Sequence, residues 1–122
     1  MTNTSDTPTV CYPAQPTLSN LQEYVKLKCR ERGFDSASDL EIFLLLTEEV
    51  GELAKAMRNR RKLFQEHGNH PDNTGEELAD VLSYVLDLAG RCGINLEAAF
   101  REKEAVNDRR SWTSSTTSST TK

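Results

Sequence analysis

Apolar side chains recur at three- and four-residue steps through the middle of this chain, and that spacing constrains the fold more than any other feature. Leu40, Phe43, Leu44, Leu46, Val50, Leu53, Ala54 and Met57 form one such series. Leu78, Val81, Leu82, Val85, Leu86, Leu88 and Ala89 form another. The period matches one face of an α-helix, whereas a half-buried strand would alternate at every second residue. Shorter series flank these two: Leu21, Tyr24, Val25 and Lys28 before them, and Leu96, Ala99, Phe100 and Val106 after them. Start and stop signals agree with four helices. Thr17 or Ser19 can cap the first, and Gly33 follows its basic end, Arg30-Glu31-Arg32. Ser38-Asp39-Leu40-Glu41 reads as a capping box for the second helix, and Thr74-Gly75-Glu76-Glu77 as one for the third. The second ends in the basic stretch Arg58 to Lys62, the third between Gly90 and Gly93, and Asn95 caps the fourth. HGNHPDN, from His67 to Asn73, is a loop by composition. No segment reads as a strand, so the class is all-α.

The ends differ from this middle. Residues 1–16 hold three of the four prolines and no periodicity, which predicts a flexible or extended N-terminal arm. Residues 113–122 are Thr and Ser closed by a single lysine, with nothing apolar to bury, which predicts a disordered tail. The helical domain is expected over residues 17–112. With 15 basic and 19 acidic residues the net charge is −4, which argues against a broad nucleic-acid-binding surface. No apolar run is long enough to span a bilayer, and the start MTNTSDTPTV lacks the basic and apolar regions of a secretory signal. Cys11, Cys29 and Cys92 are odd in number and not in zinc spacing, so they read as reduced thiols. A cytoplasmic protein is expected, with no membrane and no nucleic acid among its partners.

The middle helices also carry acids in stripes. Glu48, Glu49 and Glu52 lie at i, i+1 and i+4. Glu77 and Asp80 lie three apart on the third helix, and Tyr84 and Asp87 continue their stripe. Both stripes adjoin apolar faces, so packing through those faces would bring four carboxylates together. Converging carboxylates repel and lose hydration unless basic partners or a hard divalent cation offset the charge. Lys55 and Arg58 lie near the first stripe, but nothing basic falls between Glu77 and Asp87. Oxygen ligands without His or Cys favour Mg²⁺ or Mn²⁺, and Mg²⁺ so held takes substrate phosphates as further ligands. The bland alternative is that both stripes are solvated helix faces. A di-iron bundle would need Glu-x-x-His pairs, and neither His67 nor His70 follows a Glu at that spacing.

EEVGELA, residues 48–54, followed by EELADVLSY, residues 76–84, resembles the MazG-like all-α nucleoside triphosphate pyrophosphohydrolases. The signature of that family is E-E-x-x-E, a variable gap, then E-x-x-D. Lys103-x-x-x-Asn107-x-x-Arg110 is similar to a later segment of it. The resemblance covers roughly Leu18 to Trp112 and extends to small stand-alone members, including deoxycytidine triphosphate pyrophosphatases and phage enzymes. It implies a four-helix MazG-like fold whose bundle is completed by oligomerisation. It further implies Glu49, Glu52, Glu77 and Asp80 as Mg²⁺ ligands, with Mn²⁺ as a substitute. Glu48 and Glu49 would be the catalytic acids, Glu48 holding a further metal or orienting the attacking water. Tyr84, Lys103, Asn107 and Arg110 would bind the nucleoside triphosphate, which is cleaved to the monophosphate and pyrophosphate. Some relatives sandwich the base with aromatics placed before the second helix, where this chain offers Tyr12, Pro13 and Phe34 without a matching motif.

Two other readings compete. One is a non-catalytic helical interaction module with acidic decoration, and the other is a phosphoribosyl-ATP pyrophosphohydrolase-like activity. The third helix is apolar around most of its circumference and needs partners on more than one side, which predicts a homodimer or homotetramer.

Overall fold

The computed structural model describes residues 9–110. The Ser/Thr-rich tail expected over 113–122 and the first half of the N-terminal arm lie outside the described residues. The described chain forms four helices: α1 (Leu18–Glu31), α2 (Asp39–Arg60), α3 (Thr74–Arg91) and α4 (Leu96–Asp108). Among the described residues there is no strand.

Most helices start where side chains can cap them. Thr17 accepts from the Asn20 amide N–H and the Asn20 side chain accepts from that of Thr17, a complete capping box. Ser38 Oγ accepts from Glu41 N at 3.1 Å, and Asn95 Oδ1 accepts from Ala98 N at 3.0 Å. The third start differs from expectation, because Thr74 is not a cap. It lies inside the helix with its side chain buried, and Asp72 Oδ1 accepts from the Thr74 amide at 3.0 Å instead. Burial of the Thr74 hydroxyl withdraws it from the helix end, and the neighbouring carboxylate replaces it.

Two helix ends shape the region around the acids. Gly33 takes φ +80° after α1, and Phe34 N donates back to Cys29 O at 2.8 Å. Gly93 takes φ +68° after α3, and Ile94 N donates back to Ala89 O at 2.9 Å. Only glycine adopts such angles without strain, so both chain reversals are sharp.

Packing centres on α3, which lies against α2 along its length and against α1 on another side. The α4 helix packs chiefly on α1. Gln22 of α1 fastens the α3–α4 turn, donating to Ile94 O at 2.6 Å and accepting from Leu96 N at 2.9 Å. Residues 9–16 lie beside α1, where Tyr12 meets Tyr24 edge to face at 5.4 Å and Val10 N donates to Glu31. The buried apolar core is thin: Ile42, Ala56, Leu86 and Ala89. Leu40, Phe43, Leu44, Val50 and Met57 of α2, with Leu78 and Leu82 of α3, stay exposed.

One polar linkage ties α3 to the α1–α2 loop. Arg91 Nε donates to Asp87 Oδ1 at 2.8 Å. Its other nitrogens donate to the backbone carbonyls of Phe34, Asp35 and Ala37 in the α1–α2 loop. Removing one member of a largely buried ion pair strands the other charge, at a cost of about 3–5 kcal/mol. Arg91→Met is therefore expected to lower unfolding stability by about 3 kcal/mol or more in urea titrations. A change below about 0.5 kcal/mol, the range of ordinary surface substitutions, would show the linkage to be incidental.

Candidate functional site

The α2–α3 packing brings the two acidic stripes face to face. Glu49 of α2 and Glu77 and Asp80 of α3 each offer an oxygen within 4.8 Å of the others. Glu49 and Glu77 are half-buried and Asp80 is exposed. None of the three takes part in a salt bridge among the described residues. Asn73 Nδ2 donates to Glu77 Oε1 at 3.0 Å and so orients that carboxylate. Loss of hydration and the charges of Asp80 and Glu77 push the Glu49 carboxyl above its ordinary value. These are the consequences of gathering like charges without a cation.

Of the other expected ligands, Glu52 lies one turn beyond Glu49 and outside the tight cluster. It lines an adjacent hollow with Lys55, Asn59 and Glu76. Glu48 is exposed beside Glu49 and adds to the charge acting on it. Tyr84 sits one turn after Asp80, and burial with the charges of Glu49 and Asp80 raises its phenol above the ordinary value. Lys103, Asn107 and Arg110 are not brought to this cluster, because they lie on and just beyond α4, which packs chiefly on α1. Asn107 instead donates to Glu104 at 3.4 Å within its own helix.

A cleft of about 330 Å³ opens beside the carboxylates, walled by α1, the α1–α2 loop, α2 and α3. Glu49, Asp80 and Tyr84 stand at its wall, and so do Tyr24, Phe34 and Asp87. Phe34 reaches it because the reversal at Gly33 turns the chain back. Lys28 and Arg32 bring positive charge from the C-terminal end of α1. Sequence periodicity assigned Tyr24 and Lys28 to an apolar face and did not single out Arg32 or Cys29. Cys29 donates its thiol to Asp87 Oδ2 at 3.5 Å, and burial with the Asp87 charge raises its pKa. The i, i+4 spacing of Asp87 and Arg91 was the one signal that could have marked this corner of the cleft.

Residues 37–111 match the MazG nucleotide pyrophosphohydrolase domain. The chain belongs to the MazG family. It is 32% identical over 111 residues to dCTP pyrophosphatase 1 of Homo sapiens, covering 81% of this chain and 61% of the relative. It is 39% identical over 67 residues to the dATP/dGTP diphosphohydrolase of Cyanophage S-2L, covering 55% of this chain and 51% of the relative. It thus spans between half and two thirds of the length of these curated relatives. The three converging acids fall within the matched MazG region, whereas of the α1–α2 loop only Ala37 and Ser38 do.

The raised Glu49 carboxyl has a sign that can be tested. Its folded-state pKa exceeds the unfolded value, so the folded state holds this proton more tightly. Its contribution to stability is present below the unfolded pKa and is lost as pH rises through the folded pKa. In chelator-treated protein, Glu49→Gln should therefore raise the melting temperature at pH 7 and leave it nearly unchanged at pH 4. A variant less stable than the parent at pH 7 would contradict the repulsion described for the cluster.

Proposed function

We propose that this MazG chain is a Mg²⁺-dependent nucleoside triphosphate pyrophosphohydrolase that releases a nucleoside monophosphate and pyrophosphate. The observation that carries the reading is the three-carboxylate cluster, two of whose members, Glu49 and Asp80, line a nucleoside-sized cleft. The donor set fits a hard cation: all ligand atoms are carboxylate oxygens, and no described cation pairs with them. Glu49, Glu77 and Asp80 would hold Mg²⁺, with Glu52 one turn away as a further ligand and Mn²⁺ as a substitute. When bound, the cation would neutralise these carboxylates, ligate phosphate oxygens and lower the pKa of water. The relatives named above, one for dCTP and one for dATP and dGTP, support a deoxynucleoside triphosphate as substrate.

The chain's own groups fall into roles along the cleft. Glu48, beside the cluster and open to solvent, would orient the attacking water or hold a second cation. Tyr84 keeps its proton at neutral pH and donates its O–H to a phosphate or sugar oxygen. Lys28 and Arg32 offset phosphate charge at the cleft wall, and the Tyr24 and Phe34 rings supply apolar faces for a base. Hydrolysis consumes one water and breaks the bridge between the α- and β-phosphorus, and cationic side chains stabilise the charge on departing pyrophosphate.

Lys103, Asn107 and Arg110 lie away from the cluster within one chain, so a role for them in this scheme requires the α4 of a second copy. The exposed apolar side chains of α2 and α3 support a homodimer or homotetramer, because covering them adds the core that one chain lacks. No helix of the described residues is long and apolar enough to cross a membrane.

With Mg²⁺ and a panel of nucleoside triphosphates, the purified protein should release pyrophosphate and the monophosphate in equal amounts. Asp80→Asn should lower that rate about a hundredfold or more with helical circular dichroism unchanged. Full activity of Asp80→Asn, or release of inorganic phosphate alone, would overturn the assignment. Light scattering at micromolar concentration should give a dimer or tetramer, and a monomer there would exclude the shared site.

A further inference from the structure

The corner of the cleft farthest along α3 from the acid cluster holds a carboxylate that the proposed hydrolysis does not use. Asp87 lies seven residues after Asp80 on the same helix face, about 10 Å along the axis. It lines the same cleft as Glu49 and Asp80, with the Tyr24 and Phe34 rings among the walls. It is 8% exposed, so whatever occupies this corner meets a largely dehydrated acceptor.

We propose that Asp87 reads the edge of the base and selects guanine nucleotides. The proposal rests on the reading of this cleft as a nucleoside triphosphate site. With phosphates at the Glu49 and Asp80 end and ring faces against aromatic walls, the edge of the base points toward the far corner.

The hydrogen-bonding capacity of Asp87 decides which base. A carboxylate offers about four acceptor positions on its two oxygens. Arg91 Nε occupies one on Oδ1 at 2.8 Å, and the Cys29 thiol occupies one on Oδ2 at 3.5 Å. One acceptor position on each oxygen is left for a ligand. The thiol is a weak donor at a long distance and yields readily. Arg91 offers the cleft no competing recognition, because its remaining nitrogens are bonded to loop carbonyls.

Two adjacent acceptors match two adjacent donors. Guanine presents N1–H and its 2-amino group side by side. Adenine and cytosine present one amino group next to a bare ring nitrogen, whose lone pair would face the carboxylate. Thymine and uracil present one N–H between two carbonyl oxygens, which repel it from both sides. A buried group left facing the wrong edge discriminates more strongly than a missing apolar contact does.

The test measures kcat/KM of the full-length protein with Mg²⁺ for dGTP, dITP, dATP, dCTP and dTTP. The wild-type protein should favour dGTP, and dITP, which lacks only the 2-amino group, should fall about tenfold or more below it. Asp87→Asn should shrink the dGTP-to-dATP ratio by about tenfold or more. A purely structural Asp87 would scale all substrates by one factor and leave both ratios alone. Should Asp87→Asn fail to fold, the dGTP-to-dITP comparison on wild-type protein decides by itself. Equal kcat/KM for dGTP and dITP, or an unchanged ratio in a folded Asp87→Asn protein, overturns the assignment and leaves the pyrophosphohydrolase reading standing. Absence of pyrophosphate release from every substrate overturns both.

Discussion

Apolar packing between α2 and α3 sets the position of everything else in this molecule, because it forces three carboxylates from two helices into one small space. Each apolar side chain fully buried at such a contact stabilises the fold by about 1.5–3 kcal/mol. Loss of hydration, together with the charges of Asp80 and Glu77, leaves an upward shift of Glu49 in the native state. A divalent ion bound among these carboxylates would relieve what folding has imposed. The thinness of the core follows from the small size of the chain.

The second arrangement that matters is the lean of α1 on α3, which leaves a cleft rather than a closed seam beside the acids. Its two ends differ in chemistry. The end at Glu49 and Asp80 is open and negative, suited to a cation with its phosphates. The end at Asp87 is dehydrated and pinned by Arg91. Arg91 also fixes the loop carrying Phe34 and Ala37, so one residue connects the floor of the cleft to part of its wall. Where a cleft wall is tied down in this way, less binding energy is lost to ordering when a ligand arrives.

Much of this was legible from residue spacing. The four helices follow from three- and four-residue periodicity, and Thr17, Ser38 and Asn95 cap them as expected. Glu49, Glu77 and Asp80 were readable because acids three residues apart on apolar helices must share a face. The rest depended on tertiary placement that spacing does not encode. Thr74 has the side chain of a cap, yet packing turned its hydroxyl inward and Asp72 took over the helix start. Asp87 looked like one more member of an exposed stripe, although burial and an i, i+4 arginine give it a different environment. Tyr24, Lys28 and Arg32 reach the cleft only through the angle of α1, and Lys103, Asn107 and Arg110 lie on and just beyond a helix that packs chiefly on α1.

The central claim is that Glu49, Glu77 and Asp80 together form a divalent-cation site. Electron paramagnetic resonance of free Mn²⁺ during titration with protein tests it without reference to turnover. Wild-type protein should remove the free-ion signal in saturable fashion, Mg²⁺ should restore it by competition, and Glu77→Gln should bind far less Mn²⁺ while remaining helical. Equal Mn²⁺ uptake by wild type and Glu77→Gln, or no uptake by either, would contradict the account.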